Sequence, residues 1–389
     1  MAKTKIRMGM VGGGQGAFIG AVHRIAANLD GQIELVCGAF SSDPQKSIAS
    51  GAELFLPPQR CYATYQQMME QEALLPVDQR MQFVAIVTPN HLHFPVAKAA
   101  LESGFHVLSD KPATFDLAEA LALAEVVKQT GKLYGLTHTY NGYPLIKQAK
   151  HLIASGKLGT ITKIVVEYSQ GWLANKANDG GKQAAWRIDP KQAGISCCMG
   201  DIGVHAANLA EYVTGAHISS MCADLGSVVE GRLLDDDGSI LLRFDNGARG
   251  VLLSSQISVG DENNLRFRIY GDQAGLEWSQ LEPNTLLLKF NDAPTQIIRT
   301  GVGEFCPQAQ AAIRTPAGHP EGYLEAFANI YMNFVAQLRA YEQGLPCSND
   351  AFDVPGINEA IRGMAFIENS VKASQSEQKW LPFTTQANH

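Results

Sequence analysis

Residues 6–20 read IRMGMVGGGQGAFIG, and this stretch decides the fold. Ile6–Val11 has the apolar content of a strand, Gly12 to Gly20 form a glycine loop, and a helical stretch follows through Asn28. Glycines without a Cβ let backbone approach a ligand closely, and a helix N-terminus offers unpaired N–H groups and a positive dipole end. That combination suits the pyrophosphate of a dinucleotide. The spacing is irregular. Gly12-x-Gly14-x-x-Ala17 fits the usual fingerprint only with Ala in third place, and Gly20 fits only in a lengthened loop. The alternative is a plain tight turn, but its position between strand and helix favours the dinucleotide. A Cβ at Gly14 or Gly20 is expected to collide with the cofactor or tilt the helix away. Gly14→Val should then weaken binding and leave the fold intact.

Outward from this loop the alternation continues. Ile33–Phe40 (IELVCGAF) is a second strand, and Asp43-Pro44 opens a helix with Asp as N-cap and Pro in the first turn. Phe83–Val87 (FVAIV) is a continuous apolar run, as in a strand buried on both faces. A helix over Phe94–Ser103 stops at Gly104, and Phe105–Ser109 is the next strand. Asp116-x-x-Glu119 is a capping box for a helix ending at Gly131, before a last strand, Lys132–Thr137. Strands alternating with helices imply a parallel sheet covered on both faces.

After about residue 140 the pattern changes. A helix over Tyr143–Ala154 leads to a strand, Ile161–Gln170, and a helix follows at Asp201–Thr214. From Ile218 to about Ile298 the chain reads as strands only, with Asp245-Asn246-Gly247 as a hairpin turn. Helices at Glu321–Glu342 and around Ile357–Ala373 follow. Two domains are expected, residues 1–140 and 141–389.

At 46% hydrophobic and 18% charged residues, the 389-residue chain has a globular composition. A net charge of −7 with no Lys/Arg block gives no electrostatic reason to bind nucleic acid or an anionic membrane. Seven cysteines with no CxxC pair read as reduced thiols of a cytoplasmic protein. Lys3, Lys5 and Arg7 before an apolar stretch imitate a secretion signal. Six glycines between Gly9 and Gly20 make a poor signal core, so no cleaved leader or membrane span is expected.

Three further motifs carry chemistry. Thr88-Pro89-Asn90-His91-Leu92-His93 follows the third strand, at the edge where open sheets bind ligands. His91 and His93 lack a third ligand, so hydrogen-bonded loop histidines are expected and no metal. Asp110-Lys111-Pro112 ends the fourth strand. Asp201-x-x-x-His205 puts two side chains one turn apart on a helix face. At the tip of the second strand Ser41 and Ser42, near Lys46, are compatible with a 2′-phosphate. Asp43 looks engaged as a cap, leaving NAD and NADP both open.

In this order, Gly20-x-x-His23, TPNHLH, the DKP turn and Asp201-x-x-x-His205 resemble the Gfo/Idh/MocA oxidoreductases, the family of glucose–fructose oxidoreductase and inositol dehydrogenase. The resemblance runs from Ile6 to about Phe366. It departs at Asp110, where the family usually has Glu, and at Ser196-Cys-Cys-Met-Gly200, where the family often has a glycine run. It implies an α/β Rossmann dinucleotide-binding domain followed by an α+β domain with a large, mostly antiparallel open sheet. It also implies Lys111, Asp201 and His205 as catalytic residues. NAD or NADP would be held by Gly12, Gly14, Gly16, Phe18, Ile19, Gly20, Ser41, Ser42, Thr88, Pro89, Asn90, His93, Asp110, Lys111, Trp186 and Arg187. Tyr140, Tyr168, Trp172, His205 and His319 would line the substrate pocket, and Tyr143, Trp186 and Arg187 fall in segments that could line it too. For any one of these aromatics a core position is the alternative.

The implied activity is hydride transfer between nicotinamide and a secondary alcohol of a sugar, inositol or related polyol. Two alternatives are an NAD-using glycosidase or epimerase of the same family and a non-catalytic nucleotide-sensing regulator. Keeping Lys111, Asp201 and His205 together argues against the regulator, which needs no proton-transfer group. Apolar residues at both parities of SILLRF and GVLLSSQI suggest a sheet face buried in a homodimer or homotetramer.

Overall fold

The structure, a computed structural model, describes residues 4–387, apart from the side chains of residues 182 and 183. The predicted domain ends at 1–3 and 388–389, with Lys3, lie outside the described residues.

In chain order the elements begin β1 (Ile6–Gly12), α1 (Phe18–Leu29), β2 (Ile33–Ala39), α2 (Pro44–Glu53), α3 (Tyr65–Leu74), β3 (Phe83–Val87), α4 (His93–Glu102), β4 (His106–Ser109), α5 (Leu117–Thr130) and β5 (Tyr134–Leu136). Next come α6 (Pro144–Ala154), β6 (Ile161–Ser169), two short helices, α7 (Lys182–Ala185) and α8 (Pro190–Ala193), and α9 (Val204–Thr214). Strands β7 (Ile218–Gly226), β8 (Asp237–Phe244), β9 (Arg249–Ser255), β10 (Asn264–Gly271), β11 (Gly275–Ser279), β12 (Thr285–Lys289) and β13 (Gln296–Arg299) follow. The chain ends with α10 (Pro307–Ala311), α11 (Tyr323–Glu342), α12 (Asn349–Phe352), α13 (Ile357–Gln375) and β14 (Leu381–Pro382).

These elements form two compact units. The first contains the described residues up to His138 and, in addition, Phe327–Ile361; the second contains Thr139–Ala326 and the chain from Arg362 onward. The division expected near residue 140 thus misses a return of the chain to the first unit. Its physical basis is aromatic packing. Phe334 meets Phe83 of β3 edge-on at 5.3 Å, and Tyr331 lies edge-on to His23 of α1 at 5.9 Å.

In the first unit, among the described residues, five parallel strands run in the order β2-β1-β3-β4-β5. The strand order reverses direction between β1 and β3, whose carboxyl ends lie side by side with Gly12 opposite Val87. Such a switch point opens a crevice for ligands. All five residues of β3 are buried, because helices cover both faces of a parallel sheet.

In the second unit, among the described residues, nine strands run in the order β13-β12-β11-β10-β6-β9-β8-β7-β14. Neighbours are antiparallel except β6 and β9, which pair in parallel. Alternation in β8 buries Ile240, Leu242 and Phe244 on one face and turns Ser239 and Leu241 outward. The hairpin at residues 245–247 forms as expected, with Gly247 at φ +89° and its N–H donating to the Phe244 carbonyl at 3.1 Å. Strand β14, not foreseen in the sequence, pairs with β7. Among the described residues no helix is long and apolar enough to cross a membrane.

Candidate active site

In the first unit the glycine loop fits an anionic dinucleotide. Gly12, Gly13 and Gly16 adopt φ of +81°, +70° and +71°, a region that favours glycine. Helix α1 starts at Phe18, earlier than expected, so Gly20 lies within its first turn. A Cβ on Gly20 would stand 2.3 Å from Gly13 Cα. The helix opens without a side-chain cap and without an acidic residue in its first turn. Its first N–H groups therefore remain available to a phosphate. A cavity of about 470 Å³ beside the loop is lined by residues 14–18, Arg24, Ser50 and Glu53, among others. Gly14 also needs its small size within the protein, contrary to the expectation that Gly14→Val leaves the fold intact. A Cβ there would meet the Phe40 carbonyl oxygen at 2.7 Å, so Gly14→Val would also disturb the end of β2.

At the tip of β2, Asp43 is committed as the α2 cap, accepting from Gln45 N at 2.9 Å and Lys46 N at 3.2 Å. Ser41 Oγ accepts from Asp43 N at 3.1 Å. Beside the loop, Thr88 follows Val87, and a Cβ on Gly12 would lie 2.9 Å from Thr88 Cγ2. Asn90 is buried two residues further on.

Lys111 is carried by a turn fixed at both ends, with a cis peptide bond before Pro112. Asp110 Oδ1 accepts from Lys111 N and from Thr137 Oγ1, both at 2.9 Å. Its other oxygen faces His23 Nε2 at 3.9 Å, and His23 Nδ1 is 2.7 Å from the Tyr331 hydroxyl. Burial alone would raise the Asp110 carboxyl. His23, Lys111 and His93 together outweigh burial and hold it well below the usual carboxylate range. At the other end, His93 lies 2.6 Å from the Pro112 carbonyl through Nδ1 and 2.8 Å from the Thr88 carbonyl through Nε2. Burial lowers the His93 pKa against the pull of Asp110. Both ring nitrogens of His93 thus face backbone. Among the described residues no group of three His, Cys, Asp or Glu is placed to hold a metal ion.

In the second unit Asp201 sits in a π-helical turn, Met199–Gly203, that leads into α9 and His205. The regular helix expected from residue 201 is therefore distorted over its first turn, a feature common at functional sites. Asp235 anchors the approach to this turn. It accepts from Ser196 Oγ at 2.9 Å, Cys197 N at 3.0 Å and Met199 N at 3.1 Å. This anchor was not apparent in the sequence, since it joins segments 36–39 residues apart.

His205 is 8% exposed and packs edge-on against Tyr140, with ring centres 4.9 Å apart. Tyr140 and Tyr168 share a hydrogen bond between hydroxyls. Tyr168 donates to Asn263 Oδ1 at 2.7 Å, and Asn263 Nδ2 donates to the Tyr140 hydroxyl at 3.2 Å. Gln170 Nε2 also donates to Asn263 Oδ1, at 2.6 Å, and Trp172 Nε1 donates to Gln170 Oε1 at 2.8 Å. Burial pushes both tyrosine hydroxyls above their ordinary pKa, so they stay protonated at neutral pH. Of the expected pocket residues, the structure thus joins Tyr140, Tyr168, Trp172 and His205 and adds Asn263 and Gln170. Tyr143 packs in the core against Trp278 at 5.4 Å, and His319 is exposed, its Nδ1 3.2 Å from the Pro316 carbonyl. Trp186 and Arg187 stack on each other at 4.4 Å.

Comparison with known proteins matches two family models. Residues 6–138 match the oxidoreductase family with an NAD-binding Rossmann fold, and residues 146–277 match the GFO/IDH/MocA C-terminal domain. The uncharacterised oxidoreductase YfiI of Bacillus subtilis is 32% identical, covering 97% of each chain. An inositol dehydrogenase homologue of Azotobacter vinelandii, solved with NAD+, superposes with a TM-score of 0.93 at 35% identity over 98% of each chain. The structure of an inositol dehydrogenase homologue from that organism with NADH and myo-inositol gives a TM-score of 0.90 at 34% identity, again over 98% of each chain.

Proposed function

We propose, starting from the fact that this chain belongs to the Gfo/Idh/MocA family of NAD-binding oxidoreductases, that it interconverts a secondary alcohol of a sugar, inositol or related polyol and the matching ketone. The glycine loop, Thr88, Pro89, Asn90 and the α1 N-terminus hold the dinucleotide, whose nicotinamide supplies hydride-accepting chemistry when bound. His205 takes the hydroxyl proton as the carbinol is oxidised. Lys111 hydrogen-bonds the alcohol oxygen and stabilises the negative charge that develops there. Asp201 orients the polar groups around that oxygen.

The observation that carries this reading is the buried His205 set against Tyr140 and the Tyr140–Tyr168–Asn263–Gln170 array. A buried imidazole beside hydroxyl and amide groups suits proton exchange with a ring polyol, whose C–H faces pack on aromatic rings. The neighbour solved with myo-inositol supports a cyclitol as first candidate. Thermal-shift screening with NAD and NADP, then with cyclitols and neutral sugars, tests the assignment. A reduced nicotinamide accumulating with one polyol is expected. Substrate turnover without net cofactor reduction would favour the glycosidase or epimerase instead.

Assembly belongs to the same proposal. The outward face of the nine-stranded sheet carries Leu241, Val251 and Leu253, with Arg268 paired to Glu167 at 3.1 Å nearby. A mixed apolar and charged face of this kind suits a two-fold interface in a homodimer or homotetramer. The seven free thiols fit a reducing cytoplasm.

A further inference from the structure

Asp201 is held from two sides within its own unit. Arg187 Nε forms an ion pair with Oδ2 at 3.1 Å, and Gln256 Nε2 donates to the same oxygen at 2.9 Å. Both partners are themselves fixed. The Arg187 guanidinium lies over Trp186 at 4.4 Å and faces Trp172 at 5.9 Å. Trp172 is anchored through Gln170. The Gln256 amide is oriented by Cys197, whose Sγ–H donates to Oε1 at 3.3 Å. Burial, then the charges of Asp201 and Asp235, push the Cys197 thiol up, so it keeps its proton. The Arg187 and Asp201 side chains are only 20% and 14% exposed, so solvent screens this pair weakly.

The family resemblance assigned Arg187 to the cofactor. We propose instead that Arg187 is a positioning residue which, with Gln256, fixes Asp201 as an oriented anion and leaves His205 to carry the hydroxyl proton. The proposal rests on the reading of His205 given above. A carboxylate oxygen that lies beside a guanidinium charge and accepts an amide N–H is stabilised as the anion and is a poor proton acceptor. The proton then passes from the substrate oxygen to a ring nitrogen of His205. The O–H bond breaks, an N–H bond forms, and Asp201 keeps its charge to balance the imidazolium.

The test uses the full chain, with NADH fluorescence titration, steady-state kinetics on the polyol that the parent oxidises, and tryptophan emission. Arg187→Ala is expected to keep NADH affinity within about twofold and to lower kcat about ten- to hundredfold, the effect of losing a close, weakly screened ion-pair partner. Added guanidinium should restore part of that loss, because the space between Trp186 and Trp172 is shaped for it. Gln256→Leu keeps the ion pair and should lose less, again in kcat; it carries the test if Arg187→Ala does not fold. A loss confined to NADH affinity, with kcat intact at saturation, would overturn the proposal in favour of a cofactor contact. So would normal kcat in both variants. A parent that oxidises no polyol would refute the function rather than the pairing. Asp201→Asn then decides, since release of Arg187 should shift the tryptophan emission, and an unchanged spectrum would overturn the pairing.

Discussion

Gly20→Ala perturbs the contact that sets the nucleotide loop against α1. The new Cβ would stand 2.3 Å from Gly13 Cα, 2.4 Å from its carbonyl oxygen and 2.7 Å from its carbonyl carbon. All three are backbone atoms, so no rotamer change relieves the clash. Restoring ordinary carbon–carbon separation of about 3.5 Å requires the helix start to move by roughly 1 Å from the loop. The loop cannot follow freely, because a Cβ on Gly13 itself would lie 2.7 Å from Val87 Cγ2. Overpacking of this kind costs about 1–3 kcal/mol, and replacing a helical Gly by Ala returns about 1 kcal/mol. A net stability loss of up to about 2 kcal/mol is expected. Displacing one N–H from its phosphate oxygen removes a charged hydrogen bond worth about 1.5–3 kcal/mol, or about ten- to hundredfold in Kd. A urea melt and an NADH titration measure both terms. A Kd within about twofold of the parent, with an unchanged urea midpoint, would refute the reasoning.

Lys111→Ala and His205→Ala should each lower kcat by about 10²–10⁴ with cofactor binding largely kept, as steady-state kinetics and NADH titration will show. Asp110→Asn should lower the urea midpoint at neutral pH. A carboxyl depressed in the folded state contributes stability in full above the unfolded value near 4 and loses it as pH falls toward the folded value, so parent and variant should converge in acid. Light scattering at micromolar concentration should give a particle of two or four chains; a 42.0 kDa particle would contradict the assembly.

Local pattern made much of this molecule legible. The first strand, the FVAIV strand and the Asp245–Gly247 turn are set by neighbours in sequence and form where expected, while the helix after the glycine loop begins two residues inside it. Parts of two separate motifs meet a third in the structure. His23 and His93 converge on the turn that carries Lys111, one through Asp110 and one through Pro112. What stayed hidden depends on distant partners. The return of Phe327–Ile361 to the first unit follows from Phe334 and Tyr331 packing on Phe83 and His23, and an amphipathic helix does not announce which surface it will cover. The parallel pairing of β6 with β9 joins strands more than 80 residues apart. The π-helical turn at Asp201 has no compositional mark, and Asp235, which holds Ser196, Cys197 and Met199 at its approach, lies far away in sequence. Arg187 stood out in the sequence as a cofactor residue only, because its approach to Asp201 and to two tryptophans depends on distant segments.

The stoichiometry of the reaction tests the functional reading most directly. The full chain is incubated with NAD and the polyol that stabilises it best, and reduced nicotinamide is counted against polyol consumed. One reduced cofactor for each polyol converted to a ketone is expected, with His205→Ala slowing both equally. Consumption of the polyol or glycoside without net reduction of the cofactor, or NAD binding with no turnover of any cyclitol or sugar, would contradict it.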